Sequence, residues 1–283
     1  MTGQRTFSEF KAFLLQRSTQ NGLLMNFVIA TQAELLKTKR TASTWLTLIG
    51  AAIAPGVLFL IITFNPADGA LKELSRSPWK TAIDLSFLFV LAFTLPAYII
   101  LVATLLPQLE FRNNTWKQVY ASPQPIGHIF FSKFAALQLM ILSYFLLFNT
   151  LLLGAGVVLG IAHPGIPFLK DHLDIGSLLR YNGKAYIALL PISALQYGMA
   201  LRFRGFVAPV GIGLLLLAGT IVVLTFIPDY ASQFPHAYPI LSAELMTKDG
   251  RPLIENHEWN ALGYTAFFLL LGFAGMKWNK SKG

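Results

Sequence analysis

The chain is dominated by uninterrupted apolar runs that reach or approach the length needed to cross a bilayer, and no other feature restricts its fold as strongly. A hydrocarbon core about 30 Å thick takes about 20 residues of helix. Runs of this kind lie at Trp45–Phe64, Ile83–Leu106, Phe134–Ile161, Tyr186–Leu201, Phe206–Phe226 and Tyr264–Met276. The fourth is short and holds Pro191 and Gln196, so as a span it would begin earlier, near Leu178. In lipid every backbone N–H and C=O must be satisfied within the protein, which leaves helices or closed barrels. These runs are continuous and Leu-rich, without the alternation of lipid-facing strands, so a barrel is disfavoured. The expectation is an all-α integral membrane protein with six transmembrane helices.

Composition agrees. Hydrophobic residues make up 54% of the chain, charged residues 12%, and mean hydropathy is +0.57, whereas soluble domains carry about 25% charged residues. Six spans put both termini on one side. That side holds fourteen of the 22 Lys and Arg but only Glu9, Glu34 and Glu110 of the 13 acids. Cytoplasmic segments near span ends are enriched in basic residues, so both termini are expected in the cytoplasm. Basic charge that tracks the cytoplasmic segments is a topology signal, so the pI of 9.8 does not argue for nucleic-acid binding. With no cysteine, disulfides and thiolate sites are excluded. The N-terminus does not read as a cleaved signal peptide, because Glu9 and other polar residues precede any apolar core.

The chain divides into a cytoplasmic N-terminus (1–44), a six-span membrane domain (45–276) and a basic tail (277–283). Within the first part, Leu24–Leu36 places Leu24, Phe27, Val28, Leu35 and Leu36 roughly on one helical face and runs into Lys37, Lys39 and Arg40. This reads as an amphipathic interfacial helix. The segment 227–258 has four prolines and should face the exterior; it is too long for a simple turn, and both a re-entrant element and a plain loop fit it.

Between the second and third runs lies a polar, aromatic-bearing island, Glu110 to Phe134. Asn113 or Asn114 is a good N-cap, and Thr115 to Ser122 can make about two helical turns before Pro123 and Pro125 end them. Trp116, Val119 and Tyr120 stand at i, i+3 and i+4 and form one aromatic face. Such a face suits docking in a partner's groove, since Trp and Tyr are frequent interface anchors; it equally suits an aromatic belt on lipid headgroups.

The lead-in AELLKTKRTASTWLTL (Ala33–Leu48), the span pair after it, and then E-x-x-x-x-T-W-K-Q-x-Y-A-x-P followed by H-I-F-F-S-K-F, resemble the permease subunits of ABC-2-type ATP-binding cassette transporters, in particular the lantibiotic-immunity and related bacterial export group. The resemblance in layout covers nearly the whole chain; its specific part is the lead-in and the island. It implies that Glu34, Leu35, Leu36 and Lys37 end an elbow helix. It also implies that Glu110, Trp116, Lys117, Tyr120, Pro123 and Lys133 match the family's pattern around its first cytoplasmic loop, which acts as a coupling helix against an ATPase; Val119, on one face with Trp116 and Tyr120, is counted with the ATPase-coupling residues. Gln124-Pro125 departs from the pattern of many relatives, which have a small or β-branched residue followed by Ser. The implied partners are a cytoplasmic ABC ATPase and a second permease subunit, identical or related, in a bacterial inner membrane. The implied cofactors, ATP and magnesium, would be held by the ATPase and none by this chain.

The residues themselves point away from catalysis. A P-loop needs G-x-x-x-x-G-K-[ST], but the only Gly-Lys pair, Gly183-Lys184, is followed by Ala185 and has Leu178 at the first glycine position. His257-Glu258-Trp259-Asn260-Ala261 lacks the second histidine of a zinc helix, and neither a metal site nor a nucleophile elbow is indicated. Within the runs the polar residues Asn149 and Gln196 are read as interhelical hydrogen bonders ahead of a role in the pathway. No fixed charge is expected near a span centre, which argues against a proton- or sodium-driven carrier and suits lipophilic, amphipathic or peptide-like cargo. Gly156 and Gly160 form a G-x-x-x-G pair that would admit a neighbouring helix. The alternatives to an exporter permease are a membrane scaffold or sensor subunit, and an uncoupled channel.

Overall fold

The computed structural model describes residues 26–64, 76–113, 115–116, 118, 124–246 and 256–281. Every regular element among them is helical. Helix α1 covers 26–38, α2 Ala42–Phe64, α3 Pro78–Arg112, α4 Ile126–Ala162, α5 Ile175–Arg202, α6 Val207–Phe226, α7 Tyr238–Met246 and α8 Asn256–Ser281. Among the described residues, α2, α3, α4, α6 and the His257–Trp278 part of α8 are long and apolar enough to cross a membrane. This is a multi-pass membrane protein.

The helices run past the apolar runs because polar termini continue them. α5 shows the largest difference. Asp174 caps it, its Oδ1 accepting from the Ser177 N–H at 3.0 Å and its Oδ2 from the Ser177 hydroxyl at 2.6 Å. Those hydrogen bonds hold the Asp174 carboxyl below its ordinary range. The helix therefore begins well before Tyr186 and takes in Arg180, Asn182 and Lys184, the last only 4% exposed. The charges in the first half of the helix lower its hydropathy, and α5, long enough to span, is not among the five apolar helices.

α3 is not a regular helix throughout. Val90–Thr94 form a π-helical turn just before Pro96. Proline has no N–H to donate to the preceding turn, and a widened turn is a common way to absorb the loss. Opposite it, the Tyr144 hydroxyl on α4 donates to Gly50 O on α2 at 2.8 Å and lies 3.1 Å from Thr94 Oγ1. A Cβ at Gly50 would come within 3.0 Å of that ring, so the glycine admits the tyrosine. The G-x-x-x-G pair on α4 has a similar use. Gly156 lies under the Trp79 indole and Gly160 under Phe168 and Leu169 of the α4–α5 connection; Trp79 Nε1 donates to Phe168 O at 2.9 Å.

The segment after α6 is not a plain loop. Two 3₁₀ turns, Pro228–Gln233 and Pro235–Ala237, lead into α7, which packs against α3 and α5. Tyr238 and Ala237 are fully buried there. His257, at the start of α8, has Nε2 3.2 Å from Ser242 Oγ and 3.2 Å from Glu258 Oε1, joining α7 to α8. His236, in the second turn, is buried, and burial pushes its imidazole down to about 4.

Candidate functional site

At the end of the bundle where α1 meets α2, two carboxylates and two ammonium groups converge from three helices. α1 supplies Glu34 and Lys37, the last turn of α3 supplies Glu110, and the second turn of α4 supplies Lys133. Lys133 Nζ lies 2.7 Å from Glu34 Oε2 and also bonds Glu110 Oε1. Lys37 Nζ lies 2.6 Å from Glu34 Oε1 and 3.0 Å from Glu110 Oε1. Each carboxylate thus touches both lysines. The Lys133 side chain is 1% exposed and that of Glu110 4%, a depth at which charges persist only when paired and hydrogen-bonded. Burial pulls the Lys37 ammonium down, but the hydrogen bond and charge of Glu34, then those of Glu110, outweigh it and hold Lys37 above the ordinary lysine value.

These contacts decide which face of α1 turns inward. Ala30, Thr31 and Thr38 are buried and Glu34 is largely so, with Phe27 and Leu35 at the flanks; Val28, Ile29 and Leu36 point away from the bundle. The expected single apolar face is therefore split. Phe27 and Leu35 lie on the packed side, and Val28 and Leu36 on the other; Leu24 lies outside the described residues. The inward stripe is partly polar because it carries Glu34 to Lys133. Between α1 and α4 a groove of about 720 Å³ remains, lined by Phe27, Leu35, Phe131 and Phe134 among others. The turn into α2 is held by Thr38 O, which accepts from the hydroxyls of Thr41 at 2.6 Å and Thr44 at 2.8 Å. Arg40 occupies a left-handed position there, φ 63°.

The island begins by folding back on α3. Asn113 is the C-cap of α3 rather than the N-cap of a new helix, and Glu110 O accepts from the Thr115 N–H at 3.0 Å. Trp116 and Gln118 are helical. Lys117, Val119, Tyr120 and Pro123 lie outside the described residues. Trp116 is half-buried, its ring centroid 5.2 Å from that of Phe111 and 5.8 Å from Lys133 Nζ. The indole thus forms a lid on the ion cluster, a direction that helical spacing alone did not give. One step inward, Phe130, on the turn of α4 preceding Lys133, stacks near Tyr197 of α5 and Phe273 of α8, at 5.1 and 5.5 Å, and Tyr197 donates to Phe130 O at 2.8 Å. The cluster is therefore connected through α4 to α5 and α8.

The two polar residues singled out within the spans bridge helices. Asn149 and Asn182 exchange amide hydrogen bonds between α4 and α5, at 2.7 and 3.2 Å. Gln196 Nε2 donates to Thr104 Oγ1 at 3.0 Å and to Pro209 O at 2.8 Å, linking α5 to α3 and α6.

Residues 30–220, well over half of the chain and including all four members of the ion cluster, match the family described as ABC-2 family transporter protein. The chain belongs to that family, and it is a membrane permease subunit of an ATP-binding cassette transporter. No curated protein matches it.

Proposed function

We propose that this subunit forms half of an export pathway and is driven by a separate cytoplasmic ATPase that docks on the island between α3 and α4. The observation that carries the reading is the buried ion cluster. It fastens the elbow helix α1, the end of α3 and the start of α4 into one unit directly beside the island. A force applied at the island then reaches the elbow and the bundle together, whereas a loop without such a fastening would yield alone. In this reading Trp116 sets the island's position against α3 and α4, and Tyr120 with Val119 and Lys117 meets the ATPase. Pro123 ends the short coupling helix.

The same proposal includes α5 as a sixth span, both termini in the cytoplasm of a bacterial cell, α1 lying in the membrane interface with Val28, Ile29 and Leu36 toward lipid, and a second permease chain completing the pathway. ATP and magnesium are bound by the partner ATPase, and this chain has no catalytic role. The four basic and acidic side chains at the elbow favour the driven permease over a scaffold or an uncoupled channel, because neither of those needs the island and the elbow to move together.

The test is co-purification of the tagged full-length protein from native membranes, comparing wild type with Tyr120→Asp and with Val119→Asp. A P-loop ATPase recovered with wild type and lost from both variants supports the reading. Equal recovery from all three, or a wild type that brings down no ATPase, defeats the docking assignment.

A further inference from the structure

The groove between α1 and α4 is a feature that the driven-permease reading leaves unused. Phe27 and Leu35 of α1 close it on one side and Phe131, Phe134 and Leu139 of α4 on the other, around a volume of about 720 Å³. No charged side chain is among the described residues that line it. Its α4 wall stands largely uncovered, Phe131 being 46% exposed and Leu139 42%. Along α1 the stripe from Phe27 to Leu35 measures about 12 Å, at about 1.5 Å of rise per residue. Aromatic walls favour aromatic occupants, because rings packed edge to face add an electrostatic attraction to their buried area.

The chain itself carries a segment of matching form. Residues 1–25 precede Asn26, where the described part of α1 begins next to the groove residue Phe27. In a helical register Phe7, Phe10, Phe13 and Leu14 share one face, at i, i+3, i+6 and i+7, while Ser8, Glu9, Lys11 and Gln16 fall off it. Anchors at such spacings are how an amphipathic helix fills an apolar groove. From Phe7 to Leu14 the face would be about 10.5 Å long, close to the length of the α1 stripe. Between it and α1 come Ser18, Asn21 and Gly22. Asn-Gly is a strong turn pair, and a turn there sends the segment back along α1 as one arm of a helical hairpin. A short tether also holds its end at an effective concentration in roughly the millimolar range, so weak apolar contacts suffice; a free acyl chain has neither the tether nor the rings. We propose that Phe7, Phe10, Phe13 and Leu14 dock in the α1–α4 groove, the segment folding back at Asn21-Gly22. The docked segment bears on α1 and α4, two of the three helices that the ion cluster joins, and adds a second fastening to the elbow. It does not depend on the ATPase docking assignment.

The chain has no cysteine, so paired substitutions read the contact directly. The full-length protein carrying Phe10→Cys and Ala135→Cys, the latter a groove position on α4, is oxidised in native membranes with copper phenanthroline. Thiols still free are then counted by mass-tagging with a polyethylene-glycol maleimide after denaturation. The comparison pair is Ser8→Cys with Ala135→Cys, whose tether is nearly as long but whose first thiol is on the opposite face. The groove pair is expected to close within one chain about tenfold faster, since a docked thiol stays at the groove while an undocked one samples the whole reach of the tether. Adding Phe7→Asp and Phe13→Asp should bring the groove pair down to the rate of the comparison. Leu139→Cys replaces Ala135→Cys in a second set, so that a packing defect at one position does not decide the result. Equal rates for the two faces in both sets, the outcome if membrane lipid fills the groove, overturn the proposal, as does a groove pair that the aspartates leave equally fast. A disulfide formed between two chains instead of within one also overturns it, in favour of a second copy at the groove.

Discussion

Lys133 is the residue whose environment leaves it least freedom. It is almost fully buried, it bonds both Glu34 and Glu110, and the Trp116 ring lies 5.8 Å away. Removing one member of a buried ion group leaves the others uncompensated, at a cost of about 3–5 kcal/mol. Lys133→Met is therefore expected to destabilise the protein by that amount in thermal unfolding in detergent, and Lys133→Met combined with Glu110→Gln by clearly less, since Glu34 and Lys37 then balance. A single variant within about 0.5 kcal/mol of wild type, the usual range for surface substitutions, would show that the cluster does not hold the elbow. His236 gives a pH dependence at the same scale. Its buried imidazole has a pKa of about 4 against 6.5 for the free group, so the unfolded chain takes up a proton first as pH falls. Stability is unaffected by this group above pH 6.5 and declines between 6.5 and 4, by on the order of 2 kcal/mol at pH 5. Unfolding followed at pH 7 and pH 5 should show that decline in wild type and a shallower one in His236→Leu; equal slopes would contradict it. The charges of the elbow cluster were each visible in the sequence as isolated residues beside apolar runs. Their convergence was not, because Glu34 and Lys133 are 99 residues apart and only packing brings them together.

At the scale of helices, glycine positions distinguish what sequence spacing leaves equivalent. Gly156-x-x-x-Gly160 reads equally well as a seat for another helix or for a side chain, and the structure seats Trp79 and Phe168 there. A Cβ at Gly156 would lie 2.5 Å from the Trp79 ring, so Gly156→Val is expected to cost about 1–3 kcal/mol through overpacking. Adding Trp79→Leu should recover part of it, and a variant pair whose costs simply add would show that the two residues are not in contact. The apolar runs located the middles of the helices well, because hydropathy reports the lipid-facing stretch. It missed the first turns of α5, where Asp174 and Ser177 supply an N-cap that only a capping pattern reveals and where Arg180 and Lys184 lower the hydropathy. The segment after α6 was legible as more than a turn from its length and prolines, but its packing between α3 and α5 depends on contacts far apart in the chain.

For the whole molecule the absence of cysteine makes topology directly measurable. His172 and Arg204 are exposed and flank α5. If α5 spans, His172→Cys should react with a membrane-impermeant maleimide in intact cells and Arg204→Cys only after permeabilisation; labelling of both in intact cells, or of neither, would remove α5 from the spans. The positive-inside pattern predicts this arrangement from sequence, while the hydropathy of α5 alone does not. One property of the elbow bears on how such a bundle moves. Glu34 and Glu110 each contact Lys37 and Lys133, so no ammonium belongs to a single carboxylate. In the driven permease proposed above, a turn of α1 against α3 and α4 would let a carboxylate release one lysine while keeping the other, so that no charge is stripped bare along the way. Such a joint would be closer to a bearing than to a rivet, passing load between three helices while letting them rotate.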